Sequence, residues 1–244
     1  MATTAETTDE THAEPFLTIH GSPVYFHENW DIGIGGGLWS TGMAMALYFS
    51  SDQARASLIQ QASVSMNNKV RVLELGSGNG ILSVCLLAMA REYIDTLIIT
   101  DCADHMTLME ATLKANQHLL GDYVNVQLKE HEWGKFENDI GDERFDLIIG
   151  TDVAYRPYLY DVLISSITNY SHSKTVSLIG VTMQDTTPAF FEKLKNAGFR
   201  YTRLNDLYMP IKFRGPLLWS CFRCRFRVYK PAAIRRWWTS TRAR

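Results

Sequence analysis

The chain has 244 residues, of which 46% are hydrophobic, so it is long enough to bury a full core in one domain without disulfides or structural metals. Lys and Arg number 24 and Asp and Glu number 26, and this balance argues against nucleic acid or an anionic membrane as a general partner. The sequence has no signal peptide and no apolar run long enough to span a bilayer. We therefore expect a monomer in the cytoplasm, with the nucleus as a second compartment.

The N-terminal part divides into two predicted segments. Residues 1–14 are rich in Thr and acidic residues, which predicts a disordered tail. Residues 15–69 form a predicted extension with two short strands and a first helix over residues 43–49. Before this helix the run G-I-G-G-G-L-W-S-T-G lacks the Lys and Ser or Thr of a phosphate-binding loop. We interpret the run as a flexible turn that presents Trp39.

Strands and helices alternate over residues 70–230, which predicts an α/β fold. The expected architecture is a single-domain, Rossmann-like, doubly wound sheet of seven strands, mostly parallel. The last two strands have no helix between them, so an antiparallel C-terminal strand is expected. The predicted strands cover residues 70–75, 96–100, 123–128, 145–150, 175–181, 198–204 and 217–229. A single helix over residues 103–119 is predicted after the second of these strands.

Two C-terminal features have a structural interpretation. Residues 231–244 are basic and contain Trp237 and Trp238. We favour a helix whose tryptophans pack on the sheet, with a membrane surface or RNA as the alternative partner. Cys221 and Cys224 form a C-x-x-C pair without a second pair at zinc-finger spacing, so no metal is predicted.

The first strand of this region runs directly into a glycine turn, E-L-G-S-G-N-G. Gly76, Gly78 and Gly80 allow the backbone to bend tightly and to approach a ligand closely. A dinucleotide fingerprint places its third glycine three residues after the second, whereas here it follows after two, and Glu74 precedes the turn. This spacing favours S-adenosylmethionine over a nicotinamide cofactor. A tight turn without a ligand is the alternative.

Three further groups of residues follow the next predicted strands. Asp101 ends the second strand, where a carboxylate accepts hydrogen bonds from ribose hydroxyls. Trp133, in H-E-W-G after the third strand, has a ring that can cover adenine, although tryptophans more often pack in the core. Thr151, Asp152 and Tyr155 follow the fourth strand. Ligands bind at the carboxyl ends of parallel strands, so we expect Asp152 beside the sulfonium and Tyr155 further along the wall. A solvated aspartate is the alternative for Asp152.

Together, the motifs V-L-E-L-G-S-G-N-G, I-T-D, H-E-W-G and D-V-A-Y resemble the family 16 protein-lysine methyltransferases, a seven-β-strand class I group. The run G-G-G-L-W-S-T-G before the first helix is similar to the N-terminal element of that family. The resemblance implies S-adenosylmethionine as the cofactor and a protein lysine as the acceptor. It implies an acceptor channel lined by Asp152 and Tyr155 and cofactor contacts from Trp39, Gly76, Ser77, Gly78, Asp101, Trp133 and Thr151. Glu74 and Gly80 complete the candidate cofactor residues.

Methyl transfer to an amine needs alignment and a free lone pair but no metal. Lysine has a pKa of ~10.4, so its neutral form at a pH near 7.4 costs about 4 kcal/mol. We hypothesise that Asp152 orients the amine and takes or relays its proton, while Tyr155 narrows the channel and faces the cationic nitrogen. The resemblance implies a translation factor or a chaperone as the substrate protein and does not choose between them.

The sequence leaves other functions open. The acceptor could be histidine, arginine, an N-terminal amine or a small amine metabolite. A non-catalytic S-adenosylmethionine-binding subunit is a function of another class. A nicotinamide dehydrogenase is the least favoured alternative.

Overall fold

The computed structural model describes residues 15–19, 21–62, 69–120, 124–136, 140–141, 143–182 and 184–204, and the backbone of 217–223. The predicted tails at 1–14 and 231–244 lie outside these residues. In the described part of the chain, no helix combines the length and the apolar character needed to cross a membrane.

Seven strands form the central sheet, and a separate hairpin precedes it. The hairpin strands are β1 (Leu17–Ile19) and β2 (Ser22–Val24). The sheet strands are β3 (Val70–Leu75), β4 (Ile94–Asp101), β5 (Asn125–Glu130), β6 (Phe145–Thr151), β7 (Ser171–Val181), β8 (Phe199–Arg203) and β9 (Leu217–Arg223).

The strand order is β5-β4-β3-β6-β7-β9-β8. Strand β9 runs antiparallel to both of its neighbours, and the other described pairings in the sheet are parallel. The predicted Rossmann-like sheet with an antiparallel C-terminal strand is confirmed. The chain moves from β3 outward to β4 and β5 and then returns to place β6 on the other side of β3. Ligands bind at such a reversal, beyond the carboxyl ends of the strands.

Seven α-helices accompany the strands in the described residues. They are α1 (Ser40–Ser50), α2 (Asp52–Ala62), α3 (Ile81–Ala90), α4 (Met106–Ala115), α5 (Gln117–Leu120), α6 (Tyr160–Tyr170) and α7 (Pro188–Asn196).

The sheet separates two hydrophobic cores. Val72 belongs to the core formed with α1, α2 and α3, whereas its neighbour Leu73 belongs to the core formed with α6 and α7. Successive side chains of a strand point to opposite faces, so a strand covered on both faces needs a nearly continuous apolar run. This explains the composition of β3.

Two helical predictions need correction. The N-terminal segment contains a second helix, α2, which buries Ala54, Leu58 and Ile59 despite its polar composition. The single helix expected after Asp101 is divided at Asn116. The side chain of Asn116 accepts a hydrogen bond from the Tyr25 N–H at 2.8 Å and donates to the Tyr25 carbonyl. Asn116 therefore anchors the N-terminal segment where α4 ends.

Candidate active site

A cleft of about 470 Å³ opens at the carboxyl ends of β3, β4 and β6. The glycine turn, the loop after β5, the residues after β6 and the segment before α1 all contribute to its wall. The cleft brings together nine of the residues predicted from the sequence: Trp39, Gly76, Ser77, Gly78, Asp101, Trp133, Thr151, Asp152 and Tyr155. Glu74 and Gly80 do not line it.

The three glycines of the turn have positive φ angles of 67°, 64° and 81° at Gly76, Gly78 and Gly80. A Cβ atom on Gly76 would lie 2.7 Å from the Trp133 ring, and one on Gly78 would lie 2.4 Å from the Gly35 carbonyl oxygen. At Gly80, which precedes α3, the nearest atom would be 3.6 Å away. Close packing and backbone conformation therefore require glycine at the first two positions, and conformation alone at the third.

Glu74 lies inside the fold, with 1% of its surface exposed. Its carboxyl accepts a hydrogen bond from the Ser83 hydroxyl of α3. Burial raises the pKa of Glu74 to about 7, although the hydrogen bond from Ser83 opposes this change. Glu74 thus connects β3 to α3, and its contact with a cofactor stays a prediction.

Asp101 ties the end of β4 to the glycine turn. Its Oδ2 accepts the Gly78 N–H and its Oδ1 accepts the Cys102 N–H, both at 2.7 Å. His105 Nδ1 lies 3.2 Å from Oδ1. Burial disfavours the carboxylate, but His105 and the two N–H groups together hold the pKa of Asp101 below its usual value. Asp101 is therefore an anion at neutral pH.

His105 and Cys102 are cleft residues that the sequence analysis missed. The sulfur of Cys102 lies 3.1 Å from His105 Nδ1, and burial raises the pKa of the thiol to about 11. The ligand atoms of Asp101, Cys102 and His105 lie within 4.8 Å of one another and could surround a metal ion. Because His105 Nδ1 and Asp101 Oδ1 already contact each other, the cluster has a structural explanation without a metal.

The loop containing Trp133 is held by buried polar contacts. The His131 N–H donates to the Asp101 carbonyl at 2.8 Å, and His131 Nε2 lies 3.1 Å from the Ser166 hydroxyl of α6. The same hydroxyl accepts the Gly134 N–H at 3.0 Å. These contacts fix the residues on both sides of Trp133, whose ring packs over Gly76.

Asp152 is bound to the start of α1. Its Oδ2 accepts the N–H of Thr41 at 3.0 Å and the Thr41 hydroxyl at 2.6 Å. The Asp152 N–H donates to the Thr41 hydroxyl oxygen at 2.9 Å and to the Gly180 carbonyl at 3.0 Å. Burial raises the pKa of Asp152, whereas the bonds from Thr41 lower it. With φ at 55°, Asp152 is the one non-glycine residue in the described ranges that has a positive φ.

Tyr155 lines the cleft three residues after Asp152 and is half-buried. Burial raises the pKa of its phenol, and the Arg156 guanidinium lies 5.7 Å from its ring centroid. The described residues of the cleft wall include the carboxylates of Asp101, Glu132 and Asp152 but no Lys or Arg. This composition suits a cationic ligand.

The glycine run before α1 presents Trp39 as predicted, but it is closely packed rather than an open turn. A Cβ on Gly36 would lie 1.7 Å from the Asn29 carbonyl oxygen, and one on Gly37 would lie 2.1 Å from the Trp30 ring. Trp39 Nε1 donates to the Ile34 carbonyl at 2.8 Å, and the rings of Trp30 and Trp39 meet edge to face at 5.8 Å. Packing therefore requires glycine at positions 36 and 37.

Comparison with known proteins identifies the family. A family model described as lysine methyltransferase matches residues 19–197. The protein-lysine N-methyltransferase EFM3 of Saccharomyces cerevisiae is 30% identical over 91 residues, which are 36% of this chain and 26% of that protein. The protein N-lysine methyltransferase METTL21A of Danio rerio is 22% identical over 164 residues, which are 67% of this chain and 68% of that protein.

Among solved structures, the YcgJ protein of Bacillus subtilis aligns with a TM-score of 0.50 at 9% identity, over 70% of this chain and 98% of that chain. This similarity supports the fold alone. The matched segment spans about a quarter of the yeast relative, whereas the family model covers most of the residues described. As the motifs predicted, the chain belongs to the lysine methyltransferase family.

Proposed function

We propose that this chain transfers the methyl group of S-adenosylmethionine to the ε-amino group of a lysine in a protein substrate. One observation carries the proposal: Asp152 and Tyr155 share a single cleft with the glycine turn and Asp101. A methyl donor and an amine acceptor need such a shared space. The family and the names of the two relatives support lysine as the acceptor.

The described residues fit this cofactor. The cleft volume of about 470 Å³ is in the usual range for a small-molecule site. Asn79 Nδ2, in the glycine turn, is buried and has no hydrogen-bond partner among the described residues, so a donor is available at the wall. Asp101 would accept the ribose hydroxyls and Trp133 would cover the adenine. When bound, the cofactor supplies an electrophilic methyl group on a sulfonium.

The charge of the cleft agrees with a cationic cofactor and a cationic substrate. Its described wall contains three carboxylates and no Lys or Arg. Although Lys135 pairs with Glu132 and His105 contacts Asp101, no ion-pair partner lies beside Asp152 among the described residues. The acceptor part of the cleft therefore favours a sulfonium and an amine over the anionic pyrophosphate of a nicotinamide dinucleotide. Trp39 and Thr151 also line the cleft and would complete the cofactor contacts.

Asp152 would orient the lysine amine and take or relay its proton. Burial raises the pKa of this carboxyl towards the pH at which the enzyme works, and a proton acceptor is most effective when these two values are close. Thr41 holds Oδ2 through its N–H and its hydroxyl, so the carboxyl has a defined orientation before the amine arrives. Tyr155 would narrow the channel and place its ring face near the cationic nitrogen.

The direct test incubates the purified protein with methyl-labelled S-adenosylmethionine and an extract of cells that lack the endogenous enzyme. We expect labelled protein whose digest contains methyl-lysine, and a loss of about a hundredfold in the Asp152→Ala variant. Label on histidine, arginine, an N-terminal amine or a small amine would change the acceptor. Cofactor binding without any labelled product would instead favour a non-catalytic subunit.

A further inference from the structure

The described chain exposes five large hydrophobic side chains, and four of them lie at the cleft. Trp30, Ile34, Trp39 and Tyr158 are 55%, 43%, 44% and 76% exposed. Three of these line the cleft, and Trp30 packs edge to face against Trp39. We call these four residues the aromatic rim, of which Ile34 is the one aliphatic member. A group of exposed apolar side chains at the mouth of a cleft is typical of an interaction surface.

The rim is held in place by its own backbone. The Trp30 ring lies against Gly37, and the Trp39 indole donates to the Ile34 carbonyl at 2.8 Å. The Asn29 N–H donates to the Gly36 carbonyl at 2.8 Å and closes the segment. Side chains that are already ordered lose less conformational freedom when a partner binds. The glycine run thus lets the backbone lie directly against the exposed Trp30 ring.

The rim borders the acceptor part of the cleft. Tyr158 lies in a short 3-10 turn, Pro157–Leu159, that follows Tyr155 directly along the wall. The remaining rim residues come from the segment before α1, whose first turn is bonded to Asp152. A protein that inserts a side chain towards Asp152 therefore meets the rim with its neighbouring residues.

The charge of the cleft specifies the partner further. Lys135 pairs with Glu132 of the wall and His105 contacts Asp101, so the negative charge next to the rim comes chiefly from Asp152 and from the exposed Asp31 of the rim segment. These groups repel phosphate and attract an amine. Tryptophan and tyrosine, in turn, are the residues that most often dominate binding to an apolar partner surface.

We propose that the aromatic rim is the docking surface for the protein substrate, and that it binds large apolar side chains next to the target lysine. The inference rests on the proposed function, because it names the chemistry of the substrate for the same cleft. A free amine metabolite would have no apolar neighbours to place on the rim.

The test uses the Ile34→Ala and Tyr158→Ala variants of the full chain. Methyl incorporation into the principal labelled protein is measured over a dilution series of the extract at saturating cofactor. We expect each variant to need at least about fivefold more extract for half-maximal rate, while the maximal rate stays within about twofold. The dissociation constant for S-adenosylmethionine, measured by calorimetry, should also stay within about twofold.

Phe136→Leu is the control, because Phe136 is the fifth exposed large hydrophobic residue and lies outside the cleft wall, and a leucine keeps an apolar side chain against the rings of His131 and Tyr170. Its half-saturating extract concentration should equal that of the wild type. If the wild type labels protein and the two rim variants have unchanged half-saturation, the docking surface is wrong while the proposed function stands. If the wild type binds cofactor and labels no protein, the proposed function fails and the docking surface fails with it.

Discussion

Asp101 and Asp152 lie in the same cleft, but their surroundings shift their pKa values in opposite directions. His105 and two backbone N–H groups outweigh burial at Asp101 and lower its pKa, whereas burial prevails at Asp152 and raises its pKa. An acid that stays ionised is suited to accept hydrogen bonds, and one with a raised pKa is suited to exchange a proton. The opposite shifts therefore support the two different roles that we propose, a cofactor contact for Asp101 and an acceptor contact for Asp152.

The assignment of Asp101 leads to a binding prediction. Asp101→Ala should weaken S-adenosylmethionine binding by about tenfold to a hundredfold, because hydrogen bonds to a charged group are lost. Calorimetry measures the dissociation constant, and circular dichroism checks that the fold is retained. Asp104→Ala, at an exposed neighbouring position, should bind as the wild type does. An unchanged constant in Asp101→Ala would refute the ribose contact.

At the scale of elements, helix α1 depends on a residue that is distant in sequence. Trp39 precedes the helix and provides no side-chain cap, and the carboxylate of Asp152 accepts the Thr41 N–H instead. A Cβ on Gly180 of β7 would lie 2.6 Å from the Thr41 hydroxyl oxygen, so the contact also depends on that glycine. These hydrogen bonds therefore hold helix α1 against the residues that follow β6.

Substitution of Thr41 tests this connection. Thr41→Val keeps the shape but removes the hydroxyl, and we expect a loss of about 1–2 kcal/mol in the free energy of unfolding in urea. The hydrogen bond from the Thr41 hydroxyl stabilises the charged form of Asp152, so its loss should raise the pKa of Asp152 and move the acidic limb of the pH–rate profile to higher pH, although the backbone N–H still donates. Thr41→Ser, which retains the hydroxyl, should restore the profile. A profile unchanged in Thr41→Val would contradict the coupling.

At the scale of the whole molecule, Glu74 makes the stability depend on pH. Its pKa is about 7 in the fold, against an ordinary value of 4.5, because burial disfavours the carboxylate. Between these two pH values the folded chain binds more protons than the unfolded chain, so this residue's contribution to stability falls as pH rises. The full change is on the order of 3 kcal/mol.

Glu74→Gln should remove this dependence while keeping a partner for Ser83. Relative to the variant, the wild type should lose roughly 2–3 kcal/mol of unfolding free energy between pH 5 and pH 8, measured in urea. Glu92→Gln, at an exposed position, serves as the control and should follow the wild type. Parallel curves for the wild type and Glu74→Gln would show that Glu74 does not titrate in this range.

The sequence predicted best those features that depend on neighbouring residues. The apolar run of β3, the glycines after it and Asp101 at the end of β4 are local patterns, and the carboxyl ends of parallel strands necessarily meet at one edge. Helix α2 was missed although Ala54, Leu58 and Ile59 have helical spacing, because its polar composition masked the pattern. His105 follows Asp101 by four residues, a spacing at which two side chains can contact each other, so the sequence also carried a weak signal for this pair.

The sequence by itself therefore determined the α/β sheet, the glycine turn and the family. Only the tertiary structure decided that Thr41 holds Asp152, that Glu74 bonds to Ser83 behind the cleft wall, and that Trp30 packs on the glycine run. Periodicity and turn chemistry are set by adjacent residues. The partner of a side chain, in contrast, depends on which distant elements pack beside it, and that follows from the burial of the whole chain.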